Sequence, residues 1–135
     1  MRIILFLVVT LCFATSASAQ DAAALASVRA AYAAQAKGKW DEALRLAAPA
    51  GQVAVDLIQW DRLRAGRGQF SQAIEFLHRR PDWPGLPYLR KRSEATIEAD
   101  AAPQDVIAFF SDTPPKSAKG SLRLAPALHK KGQKA

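Results

Sequence analysis

The feature that most limits what this chain can fold into is a short pattern that occurs twice. Gly38-Lys39-Trp40-Asp41-Glu42-Ala43-Leu44 and Gly68-Gln69-Phe70-Ser71-Gln72-Ala73-Ile74 align as glycine, any residue, aromatic, two polar residues, alanine and aliphatic, at an offset of 30 positions. Such a period marks stacked helix pairs, in which the small alanine lets two helices approach and the aromatic fills the groove against the next pair. One pair alone cannot bury its apolar face, so each repeat depends on its neighbour. Asp105-Val106-Ile107-Ala108-Phe109-Phe110 repeats the apolar half more loosely, and Gly132-Gln133-Lys134-Ala135 reads as a further opening. The chain is therefore expected to stop mid-repeat, with an uncovered face and no polar cap.

Glycine and proline punctuation divides the rest into seven expected helices, with hardly any of the period-2 alternation that marks strands. The expected spans are 21–37, ended by Gly38; 40–48, stopped at Pro49; and 52–65, with Val53, Leu57, Trp60 and Leu63 on one face. A fourth, from Phe70 to about His78, ends at Pro81-Asp82-Trp83-Pro84-Gly85, which no helix crosses. The fifth runs from Tyr88 to Asp100, the sixth from Pro103 to Phe110, and the seventh from Ser117 to Lys131, beyond Pro114-Pro115. The fold class that follows is all-α, a truncated superhelix or solenoid of stacked, tetratricopeptide-like helix pairs.

The amino terminus reads differently. Arg2 precedes an apolar run from Ile3 to Leu11, and small residues close it at Ala17-Ser18-Ala19. That is the layout of a cleavable secretory leader over residues 1–19. The apolar run gives way to Thr15 and Ser16, short of the ~20 residues a membrane span needs, so no integral span is expected after cleavage. Cys12, the single cysteine, follows Leu11 rather than the small residue a lipid-anchor signal requires. The mature part, 20–135, then enters an oxidising compartment without thiols, which fits a bacterial periplasm. Nineteen Lys and Arg against twelve Asp and Glu give a net charge of +7. Export sets nucleic acid aside as a partner and makes anionic envelope polymers the better match.

Three stretches in order, Leu57-Ile58-Gln59-Trp60-Asp61-Arg62-Leu63-Arg64, Phe76-Leu77-His78-Arg79-Arg80-Pro81-Asp82-Trp83-Pro84 and Leu89-Arg90-Lys91-Arg92-Ser93-Glu94, resemble the superhelical region of soluble lytic transglycosylases. Val106-Ile107-Ala108-Phe109-Phe110, Pro114-Pro115 and Gly120-Ser121-Leu122-Arg123-Leu124-Ala125 extend the resemblance over nearly all of the mature chain. It implies a periplasmic protein of the kind that cleaves peptidoglycan without water, leaving an anhydro sugar. In that family the chemistry belongs to a carboxy-terminal, lysozyme-like domain, whose glutamate in a Glu-Ser context acts as acid and then base. This chain contains only the reverse order, Ser93-Glu94. No catalytic residue carries over, and the chain is expected to be the non-catalytic, amino-terminal portion, inactive alone.

Few residues suggest a site of their own. Glu94 and Glu98 fall one turn apart on the expected fifth helix, where they read as a solvated face balanced by Arg90 and Arg92, or Glu94 as an acceptor that fixes the Trp-Pro turn. His78 and His129 are far apart in sequence, with no Cys or close acidic cluster at ligand spacing, and read as surface residues near helix ends, so no metal and no cofactor is expected. Gly66-Arg67-Gly68 lacks the lysine and hydroxyl of a phosphate-binding loop. Trp40 and Trp60 read as packing residues, while Trp83, in a proline-bounded turn, is the better candidate for glycan or partner contact. Arg79, Arg80, Arg90, Lys91 and Arg92 cluster around that turn in sequence and join it as candidates.

The expected partners are peptidoglycan glycan strands or a periplasmic protein. The competing reading is a free-standing periplasmic protein-binding module of tetratricopeptide type, suggested by Ala31-Tyr32 ahead of Gly38, Trp40, Ala43 and Leu44. Its regular period is about 34 residues. Lys130, Lys131 and Lys134 form a basic tail suited to anionic lipid or polysaccharide.

Overall fold

The computed structural model describes residues 2–132, with side chains from Ala19 onward. The side chains of most of the expected leader, and residues 133–135 with Lys134 and most of the expected repeat opening, lie outside the described residues. Among the described residues there are seven α-helices and no strand: α1 Arg2–Ala36, α2 Trp40–Ala47, α3 Gln52–Arg64, α4 Phe70–Arg79, α5 Leu86–Ser93, α6 Pro103–Phe109 and α7 Ala118–Gly132. Short 3-10 turns cover Ala48–Ala50 and Glu94–Thr96. No described helix is long and apolar enough to cross a membrane.

Two expected boundaries move. The first helix does not begin at Asp21 but runs from Arg2, because nothing between the apolar run and the alanine-rich stretch breaks helical backbone. The fifth does not reach Asp100. It ends at Ser93, whose hydroxyl donates back to the Leu89 carbonyl at 2.9 Å, and the chain passes through a 3-10 turn into extended backbone at Ile97. A side-chain bond of that kind competes with the helical ladder.

The chain divides into two compact units, Met1–Ile58 and Gln59–Ala135. In the first, Ala31, Ala34, Ala43, Ala47 and Ile58 form the buried cluster, flanked by Leu44, Leu46, Ala54 and Val55. Ala43 and Ala47 stand four apart on α2, which puts them on one face. With methyl groups at the seam, α1 and α2 approach more closely than larger side chains would permit.

The second unit is built around Leu63, Phe70, Ala73, Phe76, Leu77, Leu89, Ile97, Val106, Phe109, Phe110 and Ala127. Its aromatic rings meet edge to face, Phe70 with Phe109 at 5.1 Å and Phe109 with Phe110 at 4.9 Å between centroids, the geometry that ring quadrupoles favour.

The repeated pattern occupies matching places. Trp40 and Phe70 open α2 and α4, and Ala43 and Ala73 are each 0% exposed. The glycines do not match. Gly38, at φ 73°, follows α1 as a left-handed cap, with Gly38 N–H donating to Gln35 O and Lys39 N–H to Ala34 O. The same paired bonds, from Gly66 N–H to Leu63 O and Arg67 N–H to Arg62 O, close α3 at Gly66, φ 69°. Gly66 is thus the structural counterpart of Gly38. Gly68 serves a different purpose, since a Cβ there would lie 2.4 Å from Leu63 Cδ2.

Candidate functional site

Trp83 is half-buried and packs against the aromatic core, its ring 5.9 Å from Phe76 and nearly perpendicular to it. Arg80 covers the ring at 5.4 Å, and the indole N–H is buried without an acceptor. The Trp60 indole donates to Pro84 O at 3.0 Å and so holds the turn against α3. Arg64 lies over Trp60 at 4.3 Å and over Tyr88 at 5.4 Å.

The basic residues separate in the same way. Arg79 pairs with Glu75 one turn back along α4. Arg92 donates to Arg64 O and Ala65 O, supplying hydrogen bonds to carbonyls that α3 leaves open at its carboxy end. Arg90 donates to Phe109 O at 3.0 Å and covers the Phe109 ring at 5.5 Å. The side chains of Arg79, Arg80, Arg90 and Arg92 therefore have structural engagements of their own, and Arg90 and Lys91 also line a cleft.

That cleft, of about 210 Å³, is lined by Leu86, Pro87, Arg90 and Lys91 from α5, Glu94, Phe109 and Phe110 at the end of α6, and Thr113, Pro114 and Lys116 from the following connector. Local sequence dictates these positions. Gly85 at φ 72° and Pro87 start α5 at a fixed place. Phe110 leaves helical geometry just after α6, and Pro114-Pro115 keeps the connector out of helix ahead of the bend at Lys116 and Ser117.

Glu94 corrects the reading of a solvated face. It is 2% exposed, and its carboxylate accepts from the Lys116 backbone N–H at 2.7 Å and from the Ser117 hydroxyl. Ser117 Oγ in turn accepts from Gly120 N–H at 3.1 Å, the bond of a residue that caps the amino end of α7. Glu94 thus fixes the connector and α7, not the Trp-Pro turn. A buried carboxylate without such donors would be strongly disfavoured. Gly120 completes the fit: a Cβ on it would stand 2.5 Å from Glu94 Oε2 and 3.2 Å from Phe110 Cζ. Glu98, which shares no helix with Glu94, is exposed.

Two further bonds tie α7 to the 3-10 turn after α5 and to the residue that follows it, from the Lys119 ammonium to Ala95 O and from Arg123 Nε to Ile97 O at 3.2 Å. The histidines lie in the last turns of α4 and α7, both exposed. Among the described residues no group of three or more His, Cys, Asp or Glu is placed to hold a metal ion. A second, wider groove of about 690 Å³ runs between Pro103, Gln104, Ile107, Ala108 and Ser111 on one side and Lys130 and Lys131 on the other.

No family model, curated protein or solved structure matches this chain.

Sequence reasoning found Arg90 and Lys91 but missed Lys116, the burial of Glu94 and the part played by Phe110. A partial signal existed: Ser117 ahead of an apolar-periodic run is a helix-start signature, and it fixes where α7 and its preceding lysine fall. Nothing local signals that Glu94 is the acceptor, because its donors lie 22 and 23 residues away.

Proposed function

We propose that this chain is a non-catalytic helical-repeat scaffold of the soluble lytic transglycosylase type, exported to the periplasm, where it positions peptidoglycan. The observation that supports this best is the repeat itself: two helices 30 positions apart open on an aromatic and bury the alanine three residues on. Stacked pairs of that kind present extended surfaces to long partners. The sequence resemblance supplies the polymer, and the surplus of positive charge, +7, suits a wall polymer that carries carboxylates.

The test is co-sedimentation with purified sacculi, together with analysis of the soluble fraction. The reading requires the chain to pellet with sacculi and to release no anhydro-muropeptides. Release of such products places chemistry in this chain, and failure to pellet removes the scaffold role.

A second reading, a protein-binding module of tetratricopeptide type, draws on the α6–α7 groove, where Ile107, Ala108 and Pro103 offer an apolar floor beside two lysines. Capture of a periplasmic protein by a chain that ignores sacculi would favour it.

A further inference from the structure

The α5–α6 cleft has a composition that the scaffold role does not use. One wall is apolar, made by Leu86, Pro87, Phe109, Phe110 and Pro114, and its charged members are Arg90, Lys91 and Lys116 against the single carboxylate of Glu94. Three cations against one anion leave two positive charges in excess. The Glu94 carboxylate does not cancel them directly, since its bonds go to the Lys116 backbone N–H and the Ser117 hydroxyl. Arg90 is held by Phe109 O. The ammonium groups of Lys91 and Lys116 have no partner among the described residues. Both residues are exposed, so the two free cations stand where solvent reaches the apolar wall.

Size narrows the ligand. A volume of 210 Å³ corresponds to about seven waters at ~30 Å³ each, below the ~300 Å³ at which sites for drug-sized molecules begin. It suits one small residue rather than a sugar chain or a helix. An anionic head beside lysines and a short apolar body against phenylalanine and proline describe the last residue of a peptide, whose α-carboxylate is a recurring recognition target.

We propose that this cleft binds the terminal α-carboxylate of a peptide ending in a small apolar residue, with Lys91 and Lys116 receiving the carboxylate and Leu86, Phe110 and Pro114 receiving the side chain. Lysines deliver point charge rather than a planar fork, so the head group is recognised by charge and the discrimination comes from the apolar wall.

The experiment is an NMR titration of the full chain with N-acetyl-alanyl-alanine and, in parallel, with its carboxy-terminal amide. The acid is expected to shift the backbone amides of Lys91, Phe110 and Lys116, and the amide to bind at least tenfold more weakly. A Lys91→Gln/Lys116→Gln double variant, altered only at exposed side chains, should lose about tenfold in affinity with an unchanged circular dichroism spectrum. Added salt should weaken the acid and leave the amide as it was. Equal binding of acid and amide, shifts confined to other surfaces, full affinity in the double variant, or no shift up to about 10 mM each overturns the proposal. Inorganic phosphate binding the same residues more tightly than the peptide overturns it too, since the apolar wall would then contribute nothing. Peptide capture and sacculus binding are read with different probes, so either can fail while the other stands.

Discussion

The two compact units are both helical, yet they are held by different materials. Among the described side chains, the unit ending at Ile58 is closed by four alanines and an isoleucine, whereas the unit beginning at Gln59 buries four phenylalanines with leucine, isoleucine and valine. An alanine seam stabilises by letting backbones approach, and it removes little apolar area per residue. An aromatic core removes much more, at about 25 cal/mol per Å², and can support clefts and connectors around it. The candidate site belongs to the second unit for that reason: its wall is the outer edge of the phenylalanine cluster.

The sharpest way to break this contrast is to empty the aromatic core. Phe76 is fully buried and meets Trp83 edge to face, so Phe76→Ala should cost about 3–5 kcal/mol, seen as a lower urea midpoint. If the loss equals that of an alanine-seam substitution, the two cores are not different in kind. Next in size is Glu94→Ala, which strands the Lys116 N–H and the Ser117 hydroxyl and should cost about 1–3 kcal/mol. Glu94→Gln, which retains an acceptor, should recover part of that loss in thermal melts.

The alanine seam can be tested from the opposite direction. Ala43→Leu adds volume where none is free, and about 1–3 kcal/mol of destabilisation is expected, whereas a looser seam would absorb the side chain without loss. Hydrogen exchange should show α2 amides opening at lower free energy than those of α4, because α2 packs on methyl groups and α4 on rings. The smallest effect belongs to the turns. Gly38→Ala meets no neighbour and bears only its left-handed backbone, about 1–2 kcal/mol. Gly68→Ala collides with Leu63, and its larger loss would show that the two glycines have separate reasons to exist.

These outcomes also mark what the sequence could convey. Helix starts at Trp40, Gln52, Phe70 and Pro103 were legible because punctuation is local: Gly38, Gly51, Gly68 and Pro103 act within one or two residues. The early end of α5 was not, since it follows from Ser93 bonding back to Leu89 and from Glu94 turning inward to donors on a distant connector. Pro126, inside α7, is similarly silent, for the helix continues through it to Gly132. Half of the cleft was visible as Arg90 and Lys91. The other half needed the fold, because Lys116 reaches it only once α7 has been anchored.

The match of Gly38 with Gly66, and the mismatch with Gly68, has a consequence for counting. Three residues separate α1 from α2, and five separate α3 from α4. Measured from one helix start to the next the repeats are in phase; measured from one cap to the next they slip by two. A self-comparison at fixed period therefore loses the register across residues 65–69, where the two extra residues between α3 and α4 bring Gly68 against Leu63.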